Sequence, residues 1–440
     1  MKFAVAAVVL VLILPAIRLI AEEPVLVGNT PYFHMRVAQE WWRQGFVVED
    51  FTVSGGRLVV LTPYHALLAA VGFLTGDVWA MMVLSAALTV ASVIVLSRIV
   101  RGISAHLHGY FMGLYVVSMP VLMGVASPGP AAWSVLLLLI GIWAFIREWT
   151  RVSSLAFVLL SLQGANENIL ALAGLVFLSR AKGQELTGVF FFLISLLLGV
   201  NLPVLLFYQS PSDLSPVIAE FGGVGMSAFM LVLAAMGVLF IWRYKSKQYS
   251  LYVCCLLFFA WSLYDNRLLP FSNFFVVFLA AHTVHALITM KFVLRRLKPV
   301  FTVIVAAGVL VQPVFLFVDG SRMKPDNSLF MIGGSAPSAV VFSTSDTGFL
   351  LEYAGARAVI DPLESRYAHG SRVKTLVDRA LTAVEIPEIR EALRALGATH
   401  VLLTPEMAEN HPRFAQLMAN GESFKSLGHR KGYALYAVRP

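Results

Sequence analysis

Apolar runs about as long as a bilayer core is thick alternate with short Lys- and Arg-bearing connections through residues 1–318. The first run, Met1 to Ile20, opens on Lys2, and no clean small-x-small cleavage site follows it. It therefore reads as a retained span rather than a secretory leader. Further runs at about 78–99, 109–126, 131–147, 154–164, 168–179, 187–207, 224–243, 249–264, 271–290 and 299–318 bring the expectation to about eleven transmembrane helices. Between the first and second runs lies a long polar and aromatic loop, 21–77. Its one apolar stretch, Pro63 to Leu74, is short for a crossing and is expected to form an external helix at the interface.

Charge supports this topology. With Lys2 inside, Arg98/Arg101, Arg147/Arg151, Arg180/Lys182, Arg243/Lys245/Lys247 and Lys291/Arg295/Arg296/Lys298 all fall on the cytoplasmic side. Counting Pro63 to Leu74 as a span would invert every later cluster. The same parity divides 154–179 into two short segments hinged at Gln163-Gly164-Ala165-Asn166-Glu167-Asn168. Non-helical backbone at that depth must be buried in protein or face water.

After Val318 the pattern changes, and 319–440 reads as a soluble α/β domain placed outside the membrane by the same parity. Val340 to Ser343, Ala358 to Asp361, His400 to Thr404 and Ala434 to Val438 are expected strands; Arg372 to Thr382 and Pro387 to Leu396 are expected helices. The second of these helices begins on Pro and is followed by Gly397, the usual asymmetry of helix ends.

Composition agrees with a membrane chain: 58% hydrophobic and 13% charged residues, with a mean hydropathy of +0.78. A net charge of +8 could suggest nucleic acid, but the basic residues sit in clusters beside apolar runs, so no nucleic-acid partner is expected. The two cysteines, Cys254 and Cys255, are adjacent in an apolar run and report neither a disulfide nor a metal site.

The residues with chemical potential gather in the first loop and in a few later turns. Thr30-Pro31-Tyr32-Phe33-His34-Met35-Arg36 opens an amphipathic stretch, and Gly55-Gly56-Arg57 precedes Pro63-Tyr64-His65. Asn266-Arg267-Leu268-Leu269-Pro270 forms a turn with Asp265; Asp346-Thr347-Gly348-Phe349-Leu350 is followed by Gly355-Ala356-Arg357 and Asp361. Together these resemble motifs of the C-type integral-membrane glycosyltransferases (GT-C), and within them the catalytic subunits of archaeal and eukaryotic oligosaccharyltransferases. The first-loop segment is similar to the family's Asp-Pro-aromatic-aromatic-x-x-Arg. The turn at Arg267 resembles one whose arginine faces a lipid-linked phosphate, and the segment from Asp346 is similar to the family's Trp-Trp-Asp-Tyr-Gly region.

That resemblance implies a GT-C transmembrane domain over 1–318, a polyprenyl-phosphate-linked sugar donor, and an extracytoplasmic glycan or protein acceptor. It also shows departures. Thr30 stands at the place of the first-loop carboxylate, Ala126-Ser127-Pro128-Gly129-Pro130 has no acid where the second loop carries an acidic pair, and Ser343-Thr344-Ser345 replaces the two tryptophans. A hard cation needs several oxygen ligands with charge among them, so no cofactor is expected and a divalent metal is disfavoured.

Other members of the resembled family use one carboxylate base and one cation. Glu22, Glu23 and Asp50 are the candidate bases, with the alternative that the two glutamates mark the outer end of the first helix. Arg36, His34, Arg267 and Asp265 are the candidate donor-phosphate contacts; for Arg36 and His34 the alternative is an interfacial helix anchored by Trp41 and Trp42, and for Arg267 a snorkelling helix-end arginine. Glu167, Glu220, His65 and Asp346 are accessory candidates, and Glu167 is equally explained by a hydrogen bond to a neighbouring helix. Two functions stand at this point: a glycosyltransferase, or a non-catalytic relative that binds the lipid carrier or serves assembly in cell-surface glycosylation.

Overall fold

The computed structural model describes residues 2–44, 47–50, 53, 56–182, 187–197, 226–245, 256–262, 268–289, 297–320, 325–362 and 370–439. The chain divides into two units. One takes in Met1–Ala21 and the helices from Trp79 to Arg322; the other combines Glu22–Val78 with Met323–Pro440.

The first unit is helical. Among its described residues, Lys2–Ile20, Asp77–Ile103, Leu269–Thr289 and Lys298–Val318 are the four helical stretches long and apolar enough to cross a membrane. A fifth span is available if His108–Val116 and Met119–Val125, bent by 45°, act as one. Pro130–Ile146, with 17 residues, reaches about 25 Å at 1.5 Å per residue, short of a full hydrocarbon core. The expected count of about eleven spans therefore exceeds what the described helices provide by length. The expected runs 187–207 and 249–264 extend well outside the described residues, and 224–243 and 271–290 do so at one end; Cys254 and Cys255 also lie outside them.

The run expected at 109–126 is broken rather than continuous. Pro120 has no N–H to bond the preceding turn, and the Ser118 hydroxyl donates instead to the Tyr115 carbonyl at 2.6 Å. The Asn273 amide then donates to Ser118 Oγ at 2.8 Å, so the break is satisfied from a neighbouring helix. The segment 154–179 is likewise two helices, Thr150–Ser161 and Ala165–Lys182, as charge parity requires. Asn168 ties the second of them to the Leu193 carbonyl at 3.3 Å.

Small residues let the helices meet closely. A Cβ on Gly237 would lie 2.1 Å from the Leu279 carbonyl oxygen, so the helices Ala228–Lys245 and Leu269–Thr289 touch backbone to backbone there. Thr283 locks the same crossing by donating to the Leu233 carbonyl at 2.6 Å.

The expected charge pattern has a structural counterpart. Phe3 meets His108 edge-on at 5.7 Å, Ser97 Oγ lies 2.8 Å from His108 Nε2, the Arg98 guanidinium sits 5.8 Å from the Trp143 ring centroid, and His106 meets His285 at 5.6 Å. These contacts gather the helix ends that bear Lys2, Arg98, Arg101 and Arg147 at one end of the unit, and Lys298 lines a groove there with Gly109, Tyr110 and Ile288.

In the second unit, β3 (Val340–Phe342), β4 (Arg357–Ala358), β5 (His400–Leu403), β6 (Phe424–Arg430) and β7 (Tyr433–Val438) form one sheet in the order β4-β3-β5-β7-β6. Strand β3 runs parallel to β4 and β5, and β7 antiparallel to β5 and β6. The amphipathic helices Gly370–Thr382 and Ile386–Ala395 bury Ala380, Ile389, Ala392 and Leu393 in the core with Phe342 and Val401. Strand β6 escapes sequence detection because all but its first residue are exposed or half-buried, leaving no alternation to read.

The strand expected at Ala358 to Asp361 ends after Ala358. Beyond it the chain passes beneath the Gly348–Tyr353 helix, where a Cβ on Gly348 would come within 2.4 Å of both Asp361 Cβ and the Ile360 carbonyl. The first loop supplies a short helix, Pro63–Thr75, and a hairpin of β1 (Val47–Asp50) and β2 (Arg57–Val60), in which Asp50 pairs with Arg57. Val53 bridges to Ala358 at the edge of the sheet.

Gly237→Ala is expected to destabilise the protein by roughly 1–3 kcal/mol, since its Cβ has no room. Gly113→Ala, whose Cβ meets nothing within 4 Å, should leave the detergent melting temperature unchanged or slightly higher. Equal melting temperatures for the two variants would refute the close crossing.

Candidate functional site

The first-loop helix Thr30–Gln44 begins at the Thr30-Pro31 pair, where Pro at the first turn gives up an N–H that has no helical partner. Its successive positions Tyr32, Phe33 and Arg36 contact the C-terminal part of the same unit. Tyr32 meets Phe330 and Tyr353, each at 5.1 Å, and Phe33 packs on Phe349 at 4.7 Å. Arg36 Nη2 lies 3.0 Å from Glu352 Oε2, with side chains only 7% and 0% exposed. Arg36 was a candidate phosphate contact; the structure gives its guanidinium to Glu352 instead, and the aromatic pair beside it becomes packing.

His34, on the same helix, reaches His65. The Thr62 backbone N–H donates to His65 Nδ1 at 3.1 Å, which leaves that nitrogen without a proton. The His65 proton therefore sits on Nε2, 2.9 Å from His34 Nδ1, and the His34 proton sits on its own Nε2. Both rings are neutral in this arrangement. Burial lowers the His65 pKa from 6.5 to about 4, in agreement with the hydrogen-bond directions.

Glu22 and Glu23 diverge. Glu22 takes a left-handed backbone conformation, φ 57°, and is exposed. Glu23 Oε2 accepts the Asn327 backbone N–H at 3.0 Å, at the N-terminus of the Asn327–Gly334 helix, while Oε1 meets Lys431 Nζ at 3.0 Å. The Asn327 side-chain amide also donates to the Glu22 carbonyl. Glu23, a candidate base, is thus a tie between the first loop and two parts of the C-terminal domain.

Asp346 is exposed, and its backbone carbonyl accepts the Asn29 amide at 3.1 Å. Burial, followed by the charges of Asp326, Glu406 and Asp346, raises the pKa of the Tyr433 phenol. Where the resembled family has tryptophans, Thr347 donates to Ser343 Oγ at 2.9 Å and Ser343 donates to the Leu402 carbonyl at 3.1 Å, so hydroxyls tie this turn to β5.

In the first unit, Glu167 folds back over the start of its own helix, where a Cβ on Gly164 would lie 2.9 Å from Oε2. That placement suits a carboxylate at a helix N-terminus. Asp265, Arg267 and Glu220 lie outside the described residues, and for Asp50 the backbone pairing alone is described. Sequence reading missed Arg18, which is fully buried in the last turn of the Lys2–Ile20 helix. An ionisable group at membrane depth is a functional candidate by default, and the break it makes in an apolar run was the available signal. Glu352 was missed too, because nothing local marks it as buried.

At the places where the resembled family carries its metal-binding acids, the described donors are few. Thr30 at the carboxylate position offers a hydroxyl 3.4 Å from Asn29 Oδ1, and 127–129 contributes no charge. Among the described residues, no three His, Cys, Asp or Glu side chains converge.

The helical unit and mixed α/β unit together have the fold of GT-C membrane glycosyltransferases. No protein-family model matches the sequence, and no curated protein matches it either. Among solved structures, the chain is similar to the archaeal oligosaccharyltransferase AglB from Archaeoglobus fulgidus in complex with an inhibitory peptide and a dolichol-phosphate. Identity is 11%, the TM-score 0.61, and the match covers 100% of this chain and 74% of that one. The apo form of the A. fulgidus oligosaccharyltransferase gives 13% identity, a TM-score of 0.59, and coverage of 99% and 74%. The arabinofuranosyltransferase AftD from Mycobacteria gives 15% identity and 0.57 over 100% of this chain and 40% of that one. At such identities the likeness is one of fold.

Removing one partner of the buried pair, as in Arg36→Met or Glu352→Met, should cost about 3–5 kcal/mol, and the double variant should recover most of it. Thermal melts of the three variants check this. Because the folded pKa of His65 lies below its unfolded value, neutral His65 contributes stability in full above pH 6.5 and loses it as the pH falls toward 4. A loss on the order of 3 kcal/mol over that window is expected in the wild type, and a smaller one in His65→Gln.

Proposed function

We propose that this protein is a membrane glycosyltransferase that moves a sugar from a polyprenyl-phosphate carrier to a hydroxyl or amide acceptor on the extracytoplasmic face. The observation that carries this reading is the fold likeness over the entire chain to AglB, captured with a dolichol-phosphate, and to AftD. The first loop and the C-terminal domain, which sequence order separates, form one unit, and the motif residues Tyr32, Phe33, Phe349 and Gly348 lie in its interior.

The reaction needs a base that takes the acceptor proton as the acceptor attacks the anomeric carbon. The carbon–phosphate-oxygen bond then breaks and the polyprenyl phosphate leaves with the electron pair, its charge met by a cation. Glu22 is the candidate base, being exposed and held at its backbone by Asn327, with Asp50 as a second. Arg267 and Arg18 are the candidate cations. Glu23, Arg36 and Glu352 act as positioning residues. This reading invokes no resident divalent metal, since Thr30 and residues 126–130 carry no carboxylate.

A second reading, a lipid-carrier-binding or assembly protein without chemistry, draws on the commitment of Arg36 and Glu23 to internal ion pairs.

With purified protein and a polyprenyl-phosphate sugar, Glu22→Gln should lower turnover at least a hundredfold with an unchanged melting temperature, and Glu23→Gln should lower both. Full transfer by the Glu22→Gln/Glu23→Gln double variant would remove the base assignment. Co-isolation of a polyprenyl lipid with no turnover on any donor would favour the assembly role.

A further inference from the structure

The membrane unit carries a groove of about 330 Å³ between the helices His108–Val116, Leu269–Thr289 and Leu297–Gly320. Gly109, Gly113, Ile288 and Val305 line it, with Tyr110 and Lys298 among the polar side chains. A Cβ built on either glycine meets nothing within 4 Å. A Gly-x-x-x-Gly face in a bilayer ordinarily receives the backbone of a neighbouring helix, yet none of the described helices covers this one. An apolar hollow loses dispersion contacts unless something apolar fills it.

Size decides what fits. A helix about 10 Å across uses up such a volume in about three residues, whereas an extended hydrocarbon chain is thin enough to lie along the groove. Charge decides what accompanies the chain. Lys298 lies in the first turn of its helix, at the positive end of the helix dipole. It belongs to the end of the unit that gathers Lys2, Arg98, Arg101 and Arg147, which the positive-inside rule assigns to the cytoplasmic leaflet, where anionic lipids concentrate.

We propose that this groove is a binding site for one anionic glycerophospholipid of the cytoplasmic leaflet, with an acyl chain over Gly109 and Gly113 and the headgroup phosphate on Lys298. The proposal does not depend on the sugar-transfer reaction taking place.

The test uses the full chain released from nanodiscs containing equal phosphatidylglycerol and phosphatidylcholine, with retained lipids counted by native mass spectrometry. Wild type is expected to keep one lipid, phosphatidylglycerol, with at least tenfold preference. Gly113→Leu, whose Cβ has open space and whose side chain enters the groove, should lose it, and Lys298→Gln should hold either lipid equally. Retention by Gly113→Leu equal to wild type, or an unchanged preference in Lys298→Gln, would overturn the proposal. So would a dimer in wild type that Gly113→Leu dissociates, which would give the face to a second copy of the chain. Lys298 is exposed, so its variant reports even if the glycine variant fails to fold.

Discussion

The ion pair of Arg36 and Glu352, with the Phe33 ring 5.9 Å from the guanidinium, is the constraint from which the second unit takes its form. Two charges withdrawn from water are costly unless each meets the other in good geometry, so the helix that carries Arg36 can dock on the helix that carries Glu352 in few orientations. With that orientation set, Phe33 falls on Phe349 and Tyr32 fits between Phe330 and Tyr353. The Glu23 carboxylate, a few residues upstream, reaches both the Asn327–Gly334 helix and the β6–β7 hairpin. A loop near the start of the chain is thereby built into a domain near its end.

The same arrangement changes which residues are available for chemistry. Motif positions that a linear reading treats as ligands become internal supports, whereas His34, held by a neutral histidine neighbour, and Glu22, turned outward by its left-handed backbone, keep part of their surface open. A first loop that lacks the Asp and a second loop that lacks the acidic pair leave the fold with cations and single carboxylates rather than an oxygen cage. Phosphate-leaving chemistry with one base remains compatible with those parts.

In the membrane unit, two kinds of glycine do opposite things. Gly237 allows a backbone carbonyl to come where a side chain would stand, and so joins two helices. Gly109 and Gly113 have the spacing of a helix contact but meet open space among the described residues. Sequence spacing alone does not separate these cases, because both are a small residue in an apolar run.

How far the sequence could be read follows from the range of the interaction involved. Apolar runs, basic connections, the split at Gln163-Gly164 and the helix at Ile386–Ala395 were legible because each depends on neighbours within a few residues. The bend at Ser118, the early end of β4 and the exposed β6 were not, since they depend on a partner helix, a crossing turn and an edge position. The sequence by itself determined a helical membrane chain with a mixed α/β domain and the motif resemblance. Only the tertiary structure decided that Arg36 belongs to Glu352, that Glu23 is a tie and that Arg18 is buried, because desolvation and pairing arise from residues far apart in the chain.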